Sequence, residues 1–477
     1  MQGTAFEEAL WSLRGAFSRQ ATFYWFVIVA AGLVLRTDTY GVSSVVRALA
    51  LHPAAYPLLL HFFHSHAWSL PKFMQCWRAF VLRQPHVVRI NGREVMIGDD
   101  TKTPKDGRRM PGLRTLHQNS ETSSKPSYFR GHDIGVLALL TGAQGRFFAT
   151  AVDLFYHCQA QAETKIDRMV DAAKGVALPA PGCFYLVLDA FFASGKVLAL
   201  GRETGGKIQV LVRGKKNCVA YWPAPKPKGR RGRGRPRLYG RRVVLRKCFQ
   251  RMESRFQNIQ AELYGESETV KVLQMDLLWK PTKGLVRFLL CRSSRGDIIL
   301  MSSDLTMDPA TALRLYGHRP AIETLFNTVK NLLGGMAYHF WSSYLERSSR
   351  RPAPADAPPP KSSRPKRTAV TFAANEKFLA VNLVLSGILQ WLACCHPTQL
   401  LTPFGFWMRT VPRAIPSEFV VRTALAYAIR ENIRRLAPDR IAAIIRRHMA
   451  RPTATPDSQH AEGDAVPSPG PPAAVNF

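Results

Sequence analysis

The chain has 477 residues, enough for two or three domains with a substantial core. Its 66 Lys and Arg stand against 33 Asp and Glu, a formal charge of +33, so a polyanion is the expected partner: nucleic acid first, an anionic membrane surface second. The eight cysteines form no C-x-x-C pair and no secretory leader is read, which excludes a disulfide framework or a zinc ribbon and predicts reduced thiols in a cytosolic protein.

Residues 1 to 85 read as a helical region rich in Leu, Ala and aromatics. Its apolar run, Phe23 to Leu35, falls short of the roughly twenty residues that cross a bilayer. His61, His64 and His66 in "HFFHSH" have no carboxylate or cysteine close by to complete a metal site, so they are read as packed or surface histidines. From residue 86 the texture changes, and "VVRINGREVMIGDD" predicts a β-hairpin turning on Asn91-Gly92, its second strand ending on Asp99 and Asp100. Adjacent strand residues face opposite ways, so only one of these carboxylates can serve a given site. The polar stretch Thr101 to Arg130 is read as a loop whose Lys102, Lys105, Arg108 and Arg109 hold DNA backbone. "IGVLALLT" and "GRFFATAVDLF" then predict strands, and Ala160 to Ala177 a helix. In "CFYLVLDAFF" a short apolar run delivers Asp189 at its end, as a buried central strand of an α/β sheet does, and "KIQVLVRGKK" predicts one more strand.

Residues 215 to 282 interrupt this rhythm as a basic, β-rich insertion. Within it Arg233 and Arg235 are expected to neutralise phosphates without reading bases, while Trp222 and Trp279 are read as core residues. Two further strands from residue 283 lead into "LRLYGHRPAIETLFNTVKNLLGG". Asp308-Pro309 predicts the start of a short helix, and Pro320, which cannot donate a helical hydrogen bond and disfavours α geometry at Arg319, the start of another. At about 100° per residue, Glu323 and Lys330 fall within roughly 20° of each other, with Ile322, Leu325, Phe326, Val329 and Leu333 on an adjoining arc. Residues 348 to 370 read as a Pro-rich basic linker and 371 to 450 as helical, with Asn382, Ser386 and Gln390 marking a buried helix. The composition from 451 to 477 is that of a disordered tail.

Three carboxylates stand out by position: Asp99 and Asp189 at strand ends, and Glu323 on a late helix. Carboxylates converging in this way can hold two hard divalent cations, which activate a water or a 3′-hydroxyl and stabilise the leaving oxygen in a displacement at phosphorus. Tyr316, Arg319, Glu323 and Lys330 match the signature Y-x2-R-x3-E-x6-K at every position, and "IGDDTK" and "LVLDAFF" look like first and second Asp motifs. On these residues the sequence resembles the DDE transposases of bacterial insertion sequences, over roughly residues 86 to 335.

The resemblance implies an α/β, ribonuclease-H-like catalytic core, residues 86–214 and 283–335, with a β-rich insertion between the second Asp and the Glu and helical regions on both flanks. It implies that Asp99, favoured over Asp100 by the family's D-x-T pattern, acts with Asp189 and Glu323 as catalytic metal ligands for two Mg²⁺, with Mn²⁺ as a substitute. Tyr316, Arg319 and Lys330 would contact phosphates near the element end. The implied partners are DNA, both terminal inverted repeats and target, and a second protomer in a homodimer on that DNA. The helical flanks would serve end recognition and dimer contacts, in a bacterial cytoplasm. A ribonuclease-H-like nuclease without strand transfer, and a transposase-derived DNA-binding protein without catalysis, stay open as alternatives.

Overall fold

The computed structural model describes residues 2–117, 127–158, 163–225, 237–263, 266–354, 357–401 and 414–450. Helices α1 (Gln2–Trp11), α2 (Gln20–Leu35), α3 (Ser43–Ala48), α4 (Ala55–His64) and α5 (Leu70–Val81) open the chain. The apolar run in α2 is a core helix: Phe23 and every residue from Phe26 to Leu35 are buried, against α3 and α4 and against helices from the far end of the chain. Around Phe17 the rings of Phe23, Phe26, Phe62, Trp68 and Phe73 gather with centroids 5.2–6.4 Å away, an aromatic cluster that ties α2, α4 and α5 together.

The hairpin forms where Asn91-Gly92 predicts it. β1 (Arg89–Ile90) pairs with β2 (Arg93–Pro104) across these two residues, both left-handed with φ of 49° and 74°, the turn that matches strand twist. β3 (Arg114–His117), β4 (Tyr128–Ala143) and β5 (Arg146–Tyr156) follow, then helix α6 (Lys165–Ala177), β6 (Phe184–Leu188), helix α7 (Gly195–Glu203) and β7 (Ile208–Arg213). β4 is antiparallel to β2 and to β5, whereas β6 is parallel to β2 and β7 to β6. The resulting order β5-β4-β2-β6-β7 is a ribonuclease-H-like arrangement inside a larger mixed α/β fold.

The sheet does not stop there. β8 (Val219–Pro223), β9 (Tyr239–Val244), helix α8 (Leu245–Arg251), β10 (Gln257–Leu263), β11 (Glu266–Trp279), β12 (Gly284–Ser293) and β13 (Gly296–Ser302) follow, and β13 pairs antiparallel with β7. The order continues β7-β13-β12-β11-β8-β9, so the segment read as an insertion extends the same sheet. Residue 282 falls in the turn of the β11–β12 hairpin, paired from Lys271↔Arg292 to Trp279↔Gly284, so residues 283–302 pair with the strands before them.

After β13 come α9 (Pro309–Gly317), capped by Asp308, and α10 (Ala321–Asn327), preceded by Pro320. A π-helical turn, Thr328–Leu332, extends α10. Helix α11 runs Pro365–Cys395, so the linker ends at residue 364 and not at 370; proline is well suited to a first helical turn, where its missing N–H has no partner to lose. α12 (Pro397–Leu401), α13 (Glu418–Arg434) and α14 (Arg440–Arg446) complete the order. By length and composition α11 could cross a bilayer, but 89% of its apolar window is buried inside the fold, against α4, β5 and α13. Its polar stripe is satisfied in part: Gln390 accepts from the Thr150 hydroxyl at 2.7 Å and donates to Glu418 at 3.2 Å, and Asn382 Nδ2 donates to the Phe378 carbonyl at 2.8 Å, while Asn382 Oδ1 and Ser386 Oγ are buried without a hydrogen bond.

Candidate active site

β2 alternates through the centre of the sheet and sorts its polar side chains by face. Asp99 and Thr101 point towards α10 and the π turn, whereas Gly98 and Asp100 point towards α6. Gly98 has to lack a side chain, because a Cβ there would lie 2.6 Å from Leu188 Cδ2 and 2.7 Å from Met169 Sδ. That close approach lets α6 seal the β2–β6 pair. The pair runs in parallel as Met96↔Leu186 and Ile97↔Val187. Two residues on, the same register sets Asp99 beside Asp189, on strands about 4.8 Å apart.

A single guanidinium gathers the carboxylates. Arg319 Nη2 donates to Asp99 Oδ2 at 2.5 Å and Nη1 donates to Glu323 Oε1 at 2.8 Å. Arg319 sits in the break between α9 and α10 that Pro320 imposes, which puts Glu323 one turn further along and within reach. Burial works against the charge on Arg319, but Asp99, Tyr316, Glu323 and Asp189 together raise its pKa above the ordinary value. For Asp99 burial dominates and lifts the carboxyl from 3.8 to about 6; Arg319 pulls it down, while Asp189 and Asp100 push with the burial. Asp189 directly follows β6 and caps the next turn, accepting from Phe191 N at 3.0 Å with one oxygen. Glu323 is the most open of the three, its side chain 60% exposed.

The opposite face of β2 holds a second charge cluster that sequence reasoning missed. Lys165, the first residue of α6, reaches Asp100 at 3.0 Å and Asp133 of β4 at 3.2 Å, and its ammonium lies 4.5 Å from the Phe191 ring centroid. It therefore ties the neighbour of Asp99 to the residue whose N–H caps Asp189. In the free protein Asp100 is paired with Lys165, whereas Asp99 is paired with Arg319 on the side of Glu323. A signal was present, since "TKID" is a capping box in which Thr164 and Asp167 fix the start of α6 and hence the place of Lys165.

The remaining expected DNA contacts are distributed unevenly. Lys330, on the π turn, donates to Thr101 Oγ1 at 2.6 Å and to the Lys102 carbonyl at 3.3 Å, beside the carboxylates. Tyr316 is 8% exposed and packs in the core beside Arg319. Lys102 lies in β2 and not in a loop, on the Asp100 face, with its ammonium on the His117 carbonyl at 2.7 Å. Lys105 lies in the interior. It is buried, its Nζ bonded to the carbonyls of Met336 and Tyr338 and 3.8 Å from the Tyr338 ring centroid, and burial lowers its pKa to about 7. Lys105→Met is accordingly expected to change duplex affinity by less than about twofold in a binding titration, unlike a lysine that neutralises a phosphate. Arg233 and Arg235 lie outside the described residues.

Three carboxylates are a hard, oxygen-only donor set of the kind that suits Mg²⁺. Among the described residues no group of three His, Cys, Asp or Glu side chains stands ready to hold an ion. The Arg319 guanidinium stands between Asp99 and Glu323, a positive charge of the protein's own shared by the two acids. The residues fit a divalent cation in chemistry.

Residues 12–145, a stretch that holds α2 to β4 and includes Asp99, match the sequence profile described as DDE superfamily endonuclease. No curated protein matches the chain. Among solved structures, it matches a piggyBac transposase synaptic complex with hairpin DNA at 11% identity and a TM-score of 0.39, over 94% of this chain and 82% of that one.

Proposed function

We propose that this chain is a DNA transposase of the DDE type, in the group of bacterial insertion sequences marked by Y-x2-R-x3-E-x6-K. The observation that carries the reading is the gathering of Asp99 and Glu323 on one guanidinium with Asp189 set beside them by strand register. The match of residues 12–145 to an endonuclease profile supports it for the part that holds Asp99. Asp99, Asp189 and Glu323 would hold a pair of divalent cations, Mg²⁺ with Mn²⁺ as a substitute, which when bound supply activation of the attacking oxygen and stabilisation of the leaving one.

The chain's own residues bind and orient the DNA. A formal charge of +33 draws the duplex in and holds it by its phosphates. Arg319, neutralised by Asp99 and Glu323 in the free protein, transfers to the scissile phosphate, which its planar fork grips in bidentate fashion. Lys330 adds a second positive charge from the same side. Lys165 keeps Asp100 turned away, so that Asp99 alone serves the site from β2. Two protomers would bring the element's two ends together, expose a 3′-hydroxyl at each and join it to target DNA at the same site, in the bacterial cytoplasm.

The test is a plasmid carrying the element's ends, incubated with the protein, Mg²⁺ and a target plasmid. Joined products are expected from the parent, and Asp189→Asn is expected to lose at least about 10³-fold in cleavage while keeping its affinity for DNA. Cut ends without joining would leave a nuclease. Equal cleavage by parent and variant would remove the catalytic assignment.

A further inference from the structure

The histidines of "HFFHSH" border an open groove that the reading above does not use. It lies between the end of α4 and the start of α11, has a volume of about 590 Å³, and is walled by His61, His64, Trp341, Tyr344, Lys366 and Arg367. A second concavity of about 490 Å³ shares His64, His66 and Lys366 with it and runs on along α11 to Lys377, so the two form one track. No carboxylate lines either part. His64 is fixed there by Nδ1, which donates to the Leu60 carbonyl at 2.8 Å, and by edge contact with Phe340.

Trp341 is the feature that asks for a ligand. Its side chain is 56% exposed, and it is the only exposed tryptophan among the described residues. Next to it the Arg364 guanidinium lies over the Tyr344 ring at 4.9 Å. An open indole face flanked by cations matches a nucleobase with its phosphates, since aromatic stacking accepts any base and the cations follow the backbone. Duplex DNA satisfies only half of this, because its base faces are already covered by their neighbours in the stack.

The groove also has a position. Beyond Asp99 and Thr101, β2 ends at Pro104; Lys105, the next residue, holds the carbonyls of Met336 and Tyr338, and the chain after it packs on the segment that bears Trp341: Ser342 N donates to the Arg109 carbonyl at 3.0 Å. We propose that the groove holds a short run of unpaired DNA nucleotides, one base stacked on Trp341 and the phosphates on Lys366 and Arg367. The inference deepens the transposase reading, which implies DNA ends parted from their complement.

Titration of the full chain with a single-stranded thymidine oligonucleotide, without metal, tests it independently of catalysis. Binding is expected to quench tryptophan fluorescence. Trp341→Ala should lose that quench and bind the oligonucleotide about tenfold more weakly, with Trp341→Phe close to the parent and duplex affinity changed less than about twofold. Circular dichroism establishes that both variants are folded. An unchanged oligonucleotide affinity in Trp341→Ala, an equal loss for duplex, or tighter binding of an acidic peptide at the same groove would overturn the proposal. If the groove passes this test and no cleavage or joining is found with metal, the groove stands and the transposase reading falls.

Discussion

Asp99→Asn is expected to give a protein that no longer cuts DNA and yet, free of metal at pH 8, resists urea better than the parent. Burial raises the Asp99 pKa from 3.8 to about 6, so between those values the folded chain holds a proton that the unfolded chain has released. A group of that kind stabilises the fold fully below about 3.8, and the contribution is lost as pH rises through about 6. At pH 8 the whole difference, on the order of 3 kcal/mol, weighs against the parent. Asparagine keeps the shape and carries no charge to desolvate. It also leaves Arg319 with Glu323 alone, which takes back part of the gain, so the net is about 1–3 kcal/mol in favour of the variant. Urea unfolding in chelator at pH 8 and pH 4 reads this directly, the advantage shrinking towards zero at the lower pH. Mg²⁺ should then raise the parent's midpoint, by about 2.7 kcal/mol at a hundredfold excess over its dissociation constant, and leave the variant's unmoved. A variant weaker than its parent at pH 8 would show that Arg319 outweighs burial at this carboxylate.

Lys165→Met acts in the other direction and is expected to cost about 3 kcal/mol near neutral pH, the range for breaking a buried ion pair from one side. The side chains of Lys165, Asp100 and Asp133 are 13%, 16% and 4% exposed, so solvent does little to screen what is left behind. Two carboxylates would then face each other across β2 and β4. Asp133 Oδ1 is buried without a hydrogen bond already, and burial, ahead of the opposing pull of Lys165, raises its pKa. Without the ammonium that pKa climbs further, so the destabilisation is largest at pH 8 and shrinks as the pH falls and Asp133 takes up a proton. Lys165→Arg restores the charge, and adding Asp133→Asn to Lys165→Met should recover more than half the loss, a non-additivity that a double-mutant cycle measures. Because Lys165 also abuts Phe191, metal affinity measured on the fraction still folded is expected to fall about tenfold.

Local chemistry made several parts of this architecture readable in advance. Asn91-Gly92 admits one kind of turn, Asp308-Pro309 and Pro320 fix two helix starts, and the buried run from Phe184 to Leu188 ends its strand just short of Asp189. Lys105 shows where such reading stops. Nothing near it in the sequence is apolar enough to predict burial; what buries it is a pair of carbonyls and a tyrosine ring more than 200 residues away. Lys102 was misplaced for a related reason: "TKTP" reads as the start of a loop, while β4 supplies partners for β2 as far as Pro104. The π turn that carries Lys330 departs from the 3.6-residue period on which its expected phase relative to Glu323 rests. Lys165, Asp100 and Asp133 come from three elements and converge only after β4 and α6 have packed on β2.

Helix α11 has a consequence for the life of the polypeptide. A nascent chain that has emerged from the ribosome as far as residue 335 already owns every acidic side chain of the site, yet lacks the helix that covers β5, surrounds the buried Trp77 edge at Gly387 and contacts the π turn. Synthesis delivers that helix late, so the chain is born without a finished interior. Prematurely terminated products ending ahead of Pro365 would expose a wide apolar face and meet proteases before they meet a chromosome.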